Sequence, residues 1–192
     1  PIFIGYGFDV NKHIKCFEKM AKELKGYTNN CTISFLDLYE KVKRNAPDIK
    51  PPSKEEQIII AKAFSKIGKE NMMTIHSCCE TTDLAQYGLK CNGCMSKEIV
   101  EKAIKEKLNP PKRKNIRHEC NCLMGNDIGA YNTCGHLCKY CYANSNKALV
   151  IENMKKHDVN SPFLIGKNEV GDKITKAKQK SWKMENEQIS FI

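Results

Sequence analysis

Two hydrophobic periods alternate along the chain, and their succession sets out the elements. Pro1-Ile2-Phe3-Ile4-Gly5-Tyr6 reads as a strand already under way, ending in Gly7-Phe8-Asp9. Ile14, Phe17, Met20, Ala21 and Leu24 then share one face at helical spacing, and Gly26 supplies the C-cap. The β-branched and aromatic run Thr32–Leu36 predicts a second strand, followed by Asp37-Leu38-Tyr39 and a polar loop from Lys43 to Pro52. Ser53 with Glu56 three residues on is a capping box, and Ile59, Ile60, Ala63, Phe64 and Ile67 give that helix its inward face. Met72–His76 predicts a third strand. Ser96 caps a further helix with Ile99, Val100, Ala103, Ile104 and Leu108 inward, broken by Pro110-Pro111 and the basic Lys112-Arg113-Lys114. A short last strand is expected over Asp127–Tyr131. Beyond Tyr142 the chain is polar and irregular, with Ser161–Gly166 as a strap and Trp182 anchoring a lysine-rich tail.

Strand and helix in alternation is the rhythm of a parallel sheet with crossover helices. The expected fold class is α/β: part of a (β/α) TIM-type barrel, with a doubly wound open sheet as the alternative. Residues 1–118 form the C-terminal portion of the barrel, 119–146 a cysteine-rich segment on the last strand and loop, and 147–192 a polar tail. Because the sequence opens on Pro1 inside a strand pattern, it is expected to be a fragment of a longer chain.

Composition narrows the setting. Hydrophobic residues make up 41% and charged residues 28% of the 192, an ordinary balance for a soluble domain. No run approaches the ~20 apolar residues of a membrane span, and no export signal opens the chain, so a cytoplasmic protein without membrane contact is expected. The net charge of +10 comes from lysines spread along the chain. They read as a solvated surface before they read as a nucleic-acid footprint.

The eleven cysteines change the picture most: seven lie between Cys91 and Cys141. An odd total and tight clustering point to metal rather than to a disulfide framework. Cys134, Cys138 and Cys141 stand in C-x3-C-x2-C order. Thiolates so spaced can wrap three corners of a cubic [4Fe–4S] cluster, leaving one iron open, and soft sulfur ligands suit iron–sulfur or zinc. A closed zinc site would want a fourth protein ligand. Cys91, Cys94, Cys120 and Cys122 form a second set of four, able to close a structural zinc site or an auxiliary cluster; alternatively Cys120 or Cys122 completes the first cluster. Cys16 and Cys31 fall on core positions. Cys78 and Cys79 are adjacent, so at most one of them is expected to join a site.

The C-x3-C-x-aromatic-C loop resembles the cluster loop of the radical S-adenosylmethionine (SAM) enzymes. More broadly, Asp127–Thr133 running into that loop, Ala143-Asn144 after it, Ile33–Asp37, the Pro51–Gln57 helix entry and Ser161–Gly166 resemble the DUF1848 family. The resemblance implies a barrel with further β and α units ahead of Pro1. It also implies a [4Fe–4S] cluster on Cys134, Cys138 and Cys141, with SAM chelating the open iron. A small-molecule or macromolecular substrate and an electron donor would be the partners. Tyr140 would pack near the adenine, where the residues alone read equally as loop packing. By its place in the loop His136 could bond a cluster sulfide or the cosubstrate or simply fill the loop, and Asp37, at a strand exit, could start the next helix or turn or bind substrate or cosubstrate. The loop lies late in the chain, and no Gly-Gly-Glu-type strand is found. Two further readings therefore stand beside the enzyme: an iron–sulfur protein that passes electrons or senses oxygen, and a structural zinc module. In a barrel, chemistry collects on the loops after the strands, so Asp9, Asp37, Cys78–Glu80 and the later cysteines would meet on one face. His76 reads as a core histidine before it reads as a ligand.

Overall fold

A computed structural model of the chain describes residues 1–112, 120, 122–123, 129–178 and 180–184. They belong to two compact units, Pro1–Leu36 with Ile49–Met124 and Lys180–Ile192, and Asp37–Asp48 with Gly125–Gln179. The fold mixes helix and strand around a small parallel sheet.

In the first unit, helix α1 (Val10–Glu23) starts where the Asp9 carboxylate accepts the Lys12 N–H at 2.7 Å. The cap satisfies a donor with no partner inside the helix. Strand β1 (Asn30–Ile33) follows, and Phe35 extends its line by bridging Ile2 in parallel. The expected first strand is present as isolated bridges at Ile2, Ile4 and Gly5, the latter two antiparallel to Lys50 and Phe8. Helix α3 (Lys54–Glu70) opens on the predicted capping box: Ser53 Oγ accepts the Glu56 N–H at 3.2 Å, and Glu56 Oε2 accepts the Ser53 N–H at 2.7 Å. Strand β2 (Thr74–Ser77) pairs with β1 in parallel, Asn30 opposite Thr74 and Ile33 opposite Ser77. His76 bridges Lys90 in parallel on the other side. The extended segments thus neighbour one another in chain order.

The core lies between α1, α3 and the sheet. Phe17 of α1 stacks on Phe64 of α3, ring centroids 4.0 Å apart and planes 16° apart, with Ala21, Ile33, Ile60 and Ile75 buried in the same cluster. Gly68 lets β2 approach α3, because a Cβ there would lie 2.8 Å from Ile75 Cδ1 and from the Met73 carbonyl oxygen. Several residues expected inward face out: Met20, Leu24, Ile59 and Ile104 are about half exposed, and Ala103 is exposed as well. His76 is only 2% exposed and is held through Nδ1 by Asn92 (3.1 Å) and through Nε2 by Asn30 (3.0 Å), the environment of a core histidine. Helix α4 (Lys97–Ile104) is capped by Ser96 but stops earlier than the apolar spacing suggests, at Lys105, whose φ of 57° is left-handed. Leu108 is nevertheless buried, in the segment that follows α4. Glu101 takes its N–H at 2.7 Å, and Lys183 bridges it antiparallel, so Trp182–Met184 lies along this segment as a short strap.

The second unit holds two helices that the pattern did not announce. Helix α2 (Glu40–Asn45) falls partly in the expected loop from Lys43, and α5 (Lys147–Lys155) lies in the expected irregular tail. Each is short and buries little: Val42 on α2, and Val150 with Asn153 on α5. Asn132 organises the loop between them. Its Oδ1 accepts the N–H groups of Ser145 (2.7 Å) and Asn146 (3.0 Å) and the Ser145 hydroxyl (3.1 Å). Asn153 donates to the Asn132 carbonyl at 3.1 Å. Asn132 has φ 58°, a region asparagine tolerates better than most residues. Of the expected last strand, residues 127–128 lie outside the described residues, and Gly129–Tyr131 are not in a strand. Most of the basic patch after Lys112 also lies outside them. Among the described residues, no helix is long and apolar enough to cross a membrane.

Candidate metal centre

All eleven cysteines are among the described residues, and none is in a disulfide. Three of them meet: the sulfurs of Cys78, Cys94 and Cys122 all lie within 4.8 Å of one another, each half-buried. The backbone explains the meeting. Cys78 follows β2 directly, and its N–H donates to the Ile33 carbonyl at 3.1 Å, tying it to the end of β1. The chain then returns alongside β2, where Lys90 takes the Ser77 N–H (2.9 Å) and gives its own to Ile75 (2.8 Å). That pairing sets the loop which brings Cys94 back towards Cys78. The Leu123 N–H donates to the Met95 carbonyl at 2.6 Å and lays Cys122 beside Cys94. The Cys94 and Cys122 sulfurs are 3.3 Å apart.

Two more cysteines flank the group. Cys79 Sγ is 3.8 Å from Cys78 Sγ. Adjacent strand residues point apart, but Cys79 has φ 55° and turns the chain so that both sulfurs approach. Cys120 bonds the Cys122 sulfur. Cys91, expected beside Cys94, is exposed and instead accepts the Ser77 hydroxyl at 3.1 Å.

The protons of the group are unevenly held. Burial, then bonds to the Cys122 and Cys78 sulfurs, push the Cys94 thiol up to about 12. Burial also opposes the Cys122 thiolate. The backbone N–H of Met95, the Cys94 thiol and N–H, and Cys120 outweigh it and hold Cys122 below the ordinary thiol value. Cys94 therefore keeps its proton and gives it as a hydrogen bond to Cys122. A proton shared among converging thiols is the position a soft metal ion takes over.

Size discriminates between occupants. A single ion with metal–sulfur bonds of ~2.3 Å in a tetrahedron sets its sulfurs roughly 3.8 Å apart. The spacings at Cys78, Cys94 and Cys122 are of that order, so the group could hold one metal ion. A cubic cluster spreads its cysteines wider, because several irons and sulfides stand between them.

The loop read as a cluster site belongs to the second unit. Cys134 and His136 are exposed, and Cys138 and Cys141 are half-buried. The Cys141 N–H donates to the Cys138 carbonyl at 3.0 Å, and Leu137 between the cysteines has φ 50°. Burial, then the neighbouring Cys138 and Cys141 sulfurs, raise the Tyr140 phenol, which hydrogen-bonds Cys138. The Asn144 side chain holds the Cys134 carbonyl at 2.6 Å. These three sulfurs do not join the tight group of single-ion size. Asp37 is exposed and accepts the Tyr39 hydroxyl at 3.3 Å.

Cys78 was expected at most as one of an adjacent pair and was not named among the ligands. Its position at a strand exit was the available signal, and its adjacency to Cys79 concealed it. Among comparisons with known proteins, a family model described as Domain of unknown function (DUF1848) matches residues 1–143. No curated protein and no solved structure matches the chain.

Proposed function

We propose, from the premise that the chain belongs to the DUF1848 family, that it is a metalloprotein. Its Cys78, Cys94 and Cys122 take up one zinc-type ion, with Cys79 or Cys120 as fourth ligand. The observation that carries this reading is the convergence of three sulfurs from segments up to 44 residues apart in sequence. Thiols that only fill a core have no reason to meet. All four candidate positions are thiols, which suits a closed structural site rather than one with an open coordination position. Such an ion would lock the end of β2, the loop after Lys90 and the segment at Cys122 into one piece. Strand neighbours in chain order support the part-barrel reading, in which this centre lies at the carboxyl ends of the strands. A reducing compartment such as the cytoplasm suits eleven thiols without a disulfide.

The test is metal analysis of the whole chain purified under reducing conditions. About one zinc per chain is expected, retained in Cys134→Ser and lost in Cys94→Ser and Cys122→Ser. Zinc that stays with Cys94→Ser would sink the reading.

A second reading concerns Cys134, Cys138 and Cys141. Three thiols on one exposed loop, with Tyr140 bonded to Cys138, favour an iron–sulfur centre open on one side. A [4Fe–4S] cluster bound there would supply one-electron chemistry, radical-SAM-like if SAM binds its open iron. The chain's own residues would hold three irons through Cys134, Cys138 and Cys141 and place Tyr140 and His136 beside them. Anaerobic reconstitution with iron and sulfide should give a brown protein whose colour is lost in Cys138→Ser but kept in Cys94→Ser. A change of its spectrum on adding SAM separates the enzyme from an electron-transfer or sensing protein.

A further inference from the structure

The second unit carries an exposed aromatic cluster that neither metal reading uses. Tyr39, Tyr131 and Tyr142 are 44%, 67% and 66% exposed. Their rings are nevertheless neighbours, with centroids 5.9 Å apart for Tyr39 and Tyr142 and 6.4 Å for Tyr131 and Tyr142. Single exposed rings are ordinary on a protein surface, whereas a contiguous exposed group marks an interaction site. Two residues on from Tyr39 and from Tyr142 stand Lys41 and Asn144, and both line a cavity of about 400 Å³. Lys139 and Lys147 line it too, and no carboxylate does among the described residues. Ser145, Asn146 and Lys147 bring the start of α5 to the same wall, where the helix presents its positive end.

A third observation points to a ligand there. Asn144 is 4% exposed, its amide N–H2 donates to Cys134, and its Oδ1 has no hydrogen-bond partner among the described residues. A buried acceptor left unmatched is costly. A ligand hydroxyl would satisfy it; a bare anion carries no proton to offer.

We propose that this face binds a nucleoside phosphate, either as a free nucleotide or as part of a single strand. The base stacks on Tyr142 and its ring neighbours, the phosphate sits among Lys41, Lys139 and Lys147 at the head of α5, and a ribose hydroxyl serves Asn144. Stacking on an aromatic side chain is sequence-tolerant and worth ~5- to ~150-fold in affinity per base. The lysines supply the salt-dependent part. The site needs no metal, and it adjoins the loop of the second metal reading, since Cys138 lines the same cavity.

The test titrates the whole reduced chain with AMP, adenosine, inorganic phosphate and a short fluorescein-labelled oligothymidylate. AMP should bind more tightly than either adenosine or phosphate. Tyr142→Ala should weaken AMP by ~5-fold or more, Tyr142→Phe should keep it, and Lys139→Glu with Lys147→Glu should abolish it. Tyr142 is exposed, so its substitution should leave the far-ultraviolet circular dichroism unchanged. Oligothymidylate bound more tightly than AMP and competed by it assigns a single strand; AMP bound more tightly assigns a free nucleotide. The proposal is overturned if AMP binds no better than phosphate, or if Tyr142→Ala leaves its affinity as it was.

Discussion

Replacing Cys122 by serine removes the sulfur that the most donors surround. Its neighbour Cys94 lies 3.3 Å away, and N–H groups of Met95 and Cys94 point at it. Closing a tetrahedron round one ion asks these two sulfurs to part by only about half an ångström, so little strain opposes binding. Zinc at a thousandfold over its dissociation constant should stabilise the folded chain by about 4 kcal/mol. For a unit of this size that is roughly 10–20 °C in Tm. Cys122→Ser should lose nearly all of that zinc-dependent shift while melting close to the metal-free wild type. Cys16→Ser, on α1, should keep it. The assay is thermal unfolding with buffered free zinc and with chelator, followed by circular dichroism. The shift should also grow from about pH 6 to pH 8, because zinc must displace the proton that burial and its neighbours hold on Cys94. An undiminished zinc shift in Cys122→Ser, or its loss in Cys134→Ser instead, would refute the assignment.

Other consequences follow from single contacts. Asn132→Ala loses three hydrogen bonds to Oδ1 and puts alanine at a left-handed φ, so the second unit should lose about 2–4 kcal/mol. Hydrogen exchange across residues 132–146 would report it as lost protection. Gly68→Ala gains about 1 kcal/mol of helix propensity but forces its Cβ to 2.8 Å from the Met73 carbonyl, which backbone cannot yield cheaply. A net loss of about 1–2 kcal/mol in urea unfolding is expected. The Leu108 N–H, helped by Lys107 and Lys97, holds the Glu101 carboxyl below its usual value. Its contribution is present above the unfolded carboxyl's pKa and disappears as pH falls through the lowered folded one. Glu101→Gln should therefore flatten the acid side of the Tm-against-pH curve.

Sequence reasoning succeeded where a local rule decides the structure. The Ser53–Glu56 capping box, the Ser96 cap and the α1 face through Phe17 and Ala21 are set within a few residues, and the chain obeys them. It missed α2 and α5 because each offers too few apolar positions to show a period, and what holds them is Val42 and Val150 buried from a distance. It overran α4 because Leu108 fits the helical spacing, yet Glu101 captures the Leu108 N–H after the chain has turned at Lys105. For the cysteines the limit is geometric. Cys94 and Cys122, read as members of one set, do have neighbouring sulfurs. The exchange of Cys91 for Cys78 depends on where Lys90 lies against β2, and no spacing rule carries that.

The two sets of cysteines differ in what their backbones can do. Cys78 is bonded to the end of β1, and Cys94 sits in a loop that Lys90 ties to β2. An ion there gains a rigid cage and stiffens the sheet ends that supply it. Cys134, Cys138 and Cys141 share one exposed loop, held by the side chains of Asn132 and Asn144 rather than by a sheet. Side-chain anchors fix a loop's ends while leaving its outer face open to solvent and ligand. Leu137 and Cys79 each accept a left-handed φ at a cost of about 1–2 kcal/mol, so both turns carry strain that a bound metal would offset. Metal removal should therefore loosen both turns, but to different depths. Proteolysis of the metal-free chain should cut first near Leu137, where no strand holds the backbone, and only later near Cys79. Cleavage in the reverse order would mean that the sheet does not brace the Cys78 turn and that the distinction between a closed and an open centre is unfounded.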